Sequence, residues 1–364
     1  MDLHRCTEDR FGPDERGGGH IVEETGTRSG GRQRATLRTV AQATGLAITT
    51  VSRALAKDPR IAAQTRELVA EAARAQGYVP DRAAQRLRTG RTKVVQLLLS
   101  LDHEFLGFTH DLLGGLTAAL QGTGYSVTLF PDVMHADRMT AVRTIVENRL
   151  GDGIVFNRTE PFDPRVRYLT EQGFPFVSHG RTEFTTPHPW VDYDNEAFAR
   201  AAVQRLAAKG RSRILMILPE ARYTFAQHLR YGLVAACRER GLTWEAPEAV
   251  SLSTPATDIA AFLRQRFVAS DAPDGVICVG EVAAIACLSA MADLRLTPGR
   301  QLDVVAKRAS AIFDLLRPTV DTVFEDLWDA GRAMGRTLLR SMQGEAADTL
   351  HVLQSPKIEF GLHP

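Results

Sequence analysis

Residues 36–55 read TLRTVAQATGLAITTVSRAL, two short helical runs around a glycine. Thr36 has the side chain to cap a first helix that turns Leu37, Val40 and Ala41 inward and stops at Thr44-Gly45. A second helix, from Ile48 to Leu55, puts Val51, Ala54 and Leu55 on one face at i, i+3, i+4 spacing. Asp58-Pro59 breaks it, and a third helix is expected from about Ala63 to Gln76, with Val69, Ala72 and Ala73 apolar and Gly77 closing it. Helix, short turn with glycine, then helix is the helix-turn-helix unit. The outer face of the second helix offers Ile48, Thr49, Ser52 and Arg53. Short groups allow close approach to a major groove, and an arginine can donate twice to guanine O6 and N7. The same residues also suit a three-helix packing unit with no ligand.

Charge separates this segment from the rest. The 364 residues carry a formal net charge of +1. Residues 35–92 hold 10 Lys/Arg against 4 acidic groups, net +6, while residues 93–364 are net −4 and residues 1–34 net −1. A basic block beside an acidic body attracts a polyanion on one side only.

Residues 1–34 are rich in Gly and Arg (RGGGH, GRSGGR) and poor in apolar groups, the composition of a disordered tail. They contain no apolar run of a secretory leader, and no stretch of the chain reaches the roughly 18 apolar residues of a membrane span. A cytoplasmic protein without a membrane partner is the expectation. Cys6, Cys237, Cys278 and Cys287 have neither metal-ligand spacing nor disulfide-scaffold density, so no metal site is expected. Phosphate-loop, G-x-S-x-G and H-E-x-x-H motifs are absent, which argues against an enzyme: no catalytic residue and no cofactor is assigned.

From Lys93 the chain alternates short apolar runs with amphipathic helical stretches. The runs are VVQLLLS (94–100), YSVTLF (125–130), GIVF (153–156), PFVSH (175–179), RILMIL (213–218), GVICVG (275–280) and LDVVA (302–306). Continuous apolar strands between helices imply parallel sheets covered on both faces, here two doubly wound subdomains. Ligands of such sheets bind beyond the carboxyl ends of the strands. Residues in those places are His103, Phe105, Asn157, Arg158, His179, Arg181, Trp190, Asp194, Phe225, His228, Glu281, Lys307 and Glu325. They combine planar hydrogen-bonding groups with aromatic faces, which suits a sugar. Two readings stand on these residues: a DNA-binding regulator controlled by a small effector, or a solute- or sugar-binding protein whose basic segment is incidental.

TLRTVAQATGLAITTVSRAL followed by QTRELVAEAARAQGYVPDRAAQRLRTG (64–90) resembles, without a gap, the DNA-binding headpiece of the lactose-repressor (LacI/GalR) family. More loosely, WVDYDNEAFARAAVQRLAAKGRSRILMI (190–217) and RPTVDTVFEDLWDAGRAMGRTLL (317–339) resemble its effector domain, itself similar to periplasmic binding proteins. The resemblance implies a multi-domain chain: an all-α helix-turn-helix headpiece at 35–81, a hinge helix at 82–92, and an α/β effector and dimerisation domain at 93–364. It implies subdomain crossings near 192, 320 and 347, which assigns 93–192 and 320–346 to one subdomain and 193–319 and 347–364 to the other. Ile48, Thr49 and Arg53 are implied to read bases, and Thr50, Ser52, Thr65 and Tyr78 to hold phosphates. Leu87 and Arg88 are implied to enter the minor groove from a hinge helix that orders on the operator. The function implied is that of a repressor binding double-stranded operator DNA as a homodimer, under a carbohydrate-type effector.

Several positions depart from the family pattern. Ala56 stands where Asn is usual, Ala62 where a Ser cap is usual, Leu229 where an Arg binds sugar, and Ala306-Lys307-Arg308-Ala309 where G-[FY]-D-D is usual. The cleft thereby gains bases and loses acids, which leaves an anionic effector open beside a neutral sugar.

Overall fold

The computed structural model describes residues 35–79, 81–100, 107–132, 137–317 and 319–361. The tail read at 1–34, with His103 and Phe105, lies outside them. The chain divides into two compact units, at Asp81/Arg82.

The first unit is three helices, α1 (Leu37–Thr44), α2 (Ile48–Leu55) and α3 (Ala63–Ala75). Thr36 and Thr39 cap α1 reciprocally, each side-chain oxygen accepting the other's backbone N–H. Gly45 ends α1 at φ +68°, a left-handed conformation that glycine adopts without a Cβ penalty. Val40, Val51 and Val69, with Ala41, Ala54 and Ala73, make the whole buried core. Ala47 and Ala62 occupy the N-cap positions of α2 and α3, and neither helix start has a side-chain cap.

The second unit begins with α4 (Arg82–Thr89). It continues through β1 (Val94–Ser100), α5 (Phe108–Leu120), β2 (Ser126–Asp132), α6 (Arg138–Glu147), β3 (Gly153–Asn157), α7 (Pro164–Glu171), β4 (Phe176–His179) and β5 (Trp190–Tyr193). Then come α8 (Asn195–Ala208), β6 (Arg213–Ile217), α9 (Thr224–Arg240), β7 (Thr243–Glu245), α10 (Ala256–Phe267), β8 (Gly275–Cys278), α11 (Glu281–Asp293) and β9 (Asp303–Arg308). The last elements are α12 (Ile312–Leu315), β10 (Asp321–Phe324), α13 (Leu327–Met342), β11 (His351–Gln354) and β12 (Lys357–Glu359).

Two six-stranded sheets result, ordered β11-β5-β4-β3-β1-β2 and β12-β10-β9-β8-β6-β7. Every strand pair is parallel except β10 with β12. Seven strands are the apolar runs read from sequence; the five that were not read (β5, β7, β10, β11, β12) have three or four residues and mix polar with apolar side chains.

Those short strands correct two of the three expected crossings. β10 lies in the second sheet, so residues 321–324 leave the first subdomain, and the chain crosses after it. β11 lies in the first sheet, so the last crossing falls between Gln354 and Lys357 rather than near 347. α13 returns to the first sheet and packs on α5. A Cβ at Gly115 would come within 2.0 Å of the Trp328 carbonyl oxygen, and one at Gly331 within 2.2 Å of that of Leu112. Glycine at both positions is what lets the two helices meet backbone to backbone.

Candidate functional site: a reading face and an effector cleft

In the first unit, Ile48, Thr49 and Arg53 are exposed on the outer face of α2, with Thr50 and Ser52 partly exposed beside them. Ile48 keeps 44% of its surface open. The Arg53 guanidinium is tied to Asp58 at 3.0 Å, and Arg60 holds both oxygens of the same carboxylate. Hydrogen bonds from Arg60, then from Arg53, keep the Asp58 carboxyl well below the usual carboxylate range. Thr65 and Tyr78 are partly buried, and burial pushes the Tyr78 hydroxyl above its ordinary pKa. In the second unit, Leu87 on α4 is 90% exposed.

The second unit carries a cleft, with a cavity volume of about 50 Å³, at the carboxyl ends of both sheets. The first sheet contributes Asn157, Arg158 and Thr159 after β3, His179 and Gly180 after β4, and Asp192 and Tyr193 from β5. Phe108 starts α5 and Asn195 starts α8; the second sheet side adds Phe225, Lys307 and Glu325. Six of the sequence-read residues therefore line it: Asn157, Arg158, His179, Phe225, Lys307 and Glu325.

The others take different places. Trp190 begins β5, at the amino end of a parallel strand, and stacks on His351 with ring centroids 4.7 Å apart. Asp194 caps α8 by accepting from the Ala197 N–H. Glu281 is fully buried and accepts from the backbone N–H groups of Ala309 and Ser310 and from the Ser310 hydroxyl, at 2.7–3.0 Å. Arg181 pairs with Asp192 at 3.2 Å, and buried His228 lies 3.8 Å from Glu183. Leu229 is core, and the neighbouring Arg230 guanidinium sits over the Trp244 ring.

Sequence reading missed Phe108, Thr159, Gly180, Asp192, Tyr193 and Asn195. The last three follow from recognising WVDY as a strand, because its carboxyl end then points to the cleft.

The cleft holds its charges in pairs. Lys307 Nζ lies 2.9 Å from Glu325 Oε2, with both side chains almost wholly buried, and donates to Asn195 Oδ1 at 3.1 Å. Arg158 faces Glu220 at 3.9 Å. Arg308, the second base of the departing segment, bonds Glu359 away from the cleft. Such pairing is what buried charges require, since an isolated one costs several kcal/mol (about 3–5 when a partner is removed). Burial pushes Asp192 up to about 7 even beside Arg181, and burial lowers His179 below its ordinary value, leaving it neutral at pH 7. Among the cleft-lining residues, Tyr193 Oη and His179 Nε2, with the ion-paired carboxylate oxygens Asp192 Oδ2 and Glu325 Oε2, are buried without a hydrogen-bond partner.

The rim is braced from behind. Arg158 has φ +55°, a left-handed backbone that costs a non-glycine residue about 1–2 kcal/mol. Its carbonyl is held by Arg138 at 2.9 Å and by buried Arg165 at 3.1 Å. Arg165 is in turn paired with buried Asp163 at 2.7 Å. Across the cleft mouth, the Thr159 carbonyl accepts from Thr224 N–H at 2.9 Å, joining the first sheet's loop to the start of α9. Gly180 packs under this loop, where a Cβ would come within 2.5 Å of Thr159 Oγ1.

Fold and site together define a helix-turn-helix protein with a two-sheet, ligand-binding type of body. Comparison with known proteins agrees. Residues 36–81 match the family described as bacterial regulatory proteins, lacI family, and residues 203–361 match a periplasmic binding protein-like domain. The regulator AglR of Rhizobium meliloti is 31% identical over 287 residues, covering 78% of this chain and 79% of AglR. RafR of Escherichia coli is 34% identical over 208 residues, covering 57% of this chain and 62% of RafR, so that match spans less than two thirds of the relative. The chain belongs to the LacI family of HTH-type transcriptional regulators. In fold it is similar to the lac repressor dimer bound to operator and the anti-inducer ONPF (TM-score 0.77, 19% identity, 90% of this chain and 98% of that one). It is also similar to the regulator CelR in complex with cellobiose (TM-score 0.65, 23% identity, 90% and 98%). Family membership sets aside the reading in which the basic segment is incidental.

Proposed function

We propose that this regulator is a cytoplasmic repressor that binds operator DNA as a homodimer and responds to a neutral, hydroxyl-rich carbohydrate in the cleft. The observation that carries the effector class is the pairing of charge there. Lys307 and Arg158 each face a carboxylate, and the buried atoms left without hydrogen-bond partners, Tyr193 Oη and His179 Nε2 with the carboxylate oxygens Asp192 Oδ2 and Glu325 Oε2, are of the kind that bond hydroxyls. Phe108 and Phe225, one from each side, supply apolar faces for a sugar ring. The cellobiose bound by CelR is a ligand of the same chemical class.

Ile48, Thr49 and Arg53 read base edges in this proposal; Thr50, Ser52, Thr65 and Tyr78 hold phosphates; Leu87 and Arg88 act in the minor groove. The reader spans 35–81, the hinge 82–92, and the effector domain the remainder. Among the described residues, Lys307 and Arg158 lie beside carboxylates, which is the reason a sugar phosphate is not favoured.

The test is a thermal-shift panel on the full chain. It contains neutral mono- and oligosaccharides, cellobiose among them, with the corresponding aldonic acids and sugar phosphates. It is paired with a shift assay on duplexes selected by the protein from a random pool. Stabilisation by neutral members alone, with release of the selected duplex, supports the proposal. Stabilisation by acids or phosphates alone rejects the neutral class, and retention of no duplex at low salt rejects the DNA-binding roles.

A further inference from the structure

Helix α6 touches the cleft at one end and the hinge helix at the other. At its start, Arg138 Nη2 donates to the carbonyls of Arg158 at 2.9 Å and Asn157 at 3.5 Å, both cleft residues. Its Nη1 donates to Glu160 at 3.2 Å. Ten residues later, about 15 Å at 1.5 Å per residue, the helix ends at Glu147. There the carbonyls of Asn148 and Arg149 accept from Arg86 Nη2 of α4, at 3.3 and 2.9 Å. Carbonyls at a helix's carboxyl end lack partners within the helix and form the negative pole of its dipole. A guanidinium is therefore held there by charge as well as by hydrogen bonds.

The hinge helix needs such a hold. It has eight residues, too few for stability in isolation, and Leu87 is exposed rather than packed. A further attachment is the segment after it, where Asp152 accepts from the backbone N–H groups of Thr92 and Lys93 at 2.7 and 3.0 Å. α6, by contrast, is a rigid piece anchored in the core. Asp137 caps its start at 3.0 Å, and Val142 and Ile145 are fully buried.

We infer that Arg138 and Arg86 are positioning residues at the two ends of a relay, with α6 as the rod between the cleft and the hinge helix. A ligand that engages the 157–159 loop displaces the carbonyls that Arg138 grips, and the far end of α6 then offers or withdraws the carbonyls that hold Arg86. The inference rests on the proposed reading of the cleft as effector site and of α4 as a DNA-contacting helix.

Hydrogen exchange on the full chain without DNA tests it. In Arg86→Ala, amides of residues 84–90 are expected to exchange about two- to fivefold faster, the size of a helix-terminus charge interaction, and Arg86→Lys to recover part of the protection. Arg138→Lys keeps a cation but replaces two donor nitrogens, one on Glu160 and one on the carbonyls, with a single one. It is expected to accelerate exchange in α4 while amides inside α6 stay protected. Exchange in α4 unchanged by either Arg86→Ala or Arg138→Lys overturns the relay, as does acceleration confined to α6. A shift assay of the same variants on the selected duplexes separates the two levels. Failure of even the unsubstituted chain to bind any duplex defeats the DNA-binding reading, while the exchange data judge the relay independently.

Discussion

The face of α2 and the floor of the cleft place similar side chains in opposite surroundings. Ile48, Thr49 and Arg53 stand in water, and the Arg53 side of the Arg53–Asp58 pair is about half exposed. Lys307 and Glu325 are sealed from water at 2.9 Å from each other. An exposed arginine contributes little to stability and keeps its guanidinium free to exchange a carboxylate for a base edge or phosphate. A buried lysine has no such freedom, because leaving its partner uncompensated costs more than most ligands return. Charge is thus presented on the face of α2 and cancelled in the cleft.

The contrast can be broken most sharply at the buried pair. Lys307→Met should lower the stability of the second unit by about 3–5 kcal/mol, and Lys307→Met with Glu325→Gln should restore most of it. Calorimetric melting of the three proteins checks this; a double variant as unstable as the single one would sink the compensation argument. At the exposed face, Arg53→Ala should cost operator affinity about 1–3 kcal/mol and relax one base position while leaving the melting of the second unit unchanged. Equal weakening on all duplexes would assign Arg53 to phosphate instead.

A third difference lies in pH. Asp192 has a folded pKa of about 7 against an ordinary value of 3.8. Over that interval the folded state binds the proton and the unfolded state does not, so its contribution to stability falls as pH rises from about 4 to 7. His179 has the opposite sign: its folded value is lowered from 6.5, so stability is lost as pH falls below 6.5. Comparing Asp192→Asn with the unsubstituted chain isolates the aspartate. Unsubstituted protein should lose on the order of 1 kcal/mol per pH unit relative to the variant on going from pH 5 to 7. Parallel curves would contradict the burial of a titrating carboxyl. The smallest effect is in the first unit, where Ala62→Ser should supply the missing cap of α3 and stabilise that unit by about 0.5–1 kcal/mol, read as a shift in its denaturation midpoint.

The two regions also differ in how much of them the sequence exposes. The reading face comes from one contiguous stretch whose helical spacing, caps and glycine turn are local, so α1 to α3 emerge from residues 36–76 alone. The cleft draws single residues from seven separated segments, and its legibility depends on knowing where each strand ends. GIVF and PFVSH are continuous apolar runs, and Asn157, Arg158 and His179 at or beyond their ends line the cleft. WVDY is short and half polar, so it was not read as a strand. Trp190 at its wrong end was chosen in place of Asp192, Tyr193 and Asn195. Glu281 follows a strand as expected, but its carboxylate is occupied by the Ala309–Ser310 turn. Position relative to a strand end can be read from sequence; what a carboxylate finds to bond with once there depends on residues 28 and 29 positions away.

The pairing of Lys307 with Glu325 also bears on how this regulator could be retrained to a new inducer. A variant library that randomises one cleft position at a time would mostly sample chains carrying a stranded buried charge, and selection would discard them before ligand preference was ever scored. Co-randomising residues 307 and 325 as a unit, with Asn195 as their shared neighbour, keeps the intermediates folded and opens the route from one inducer to another.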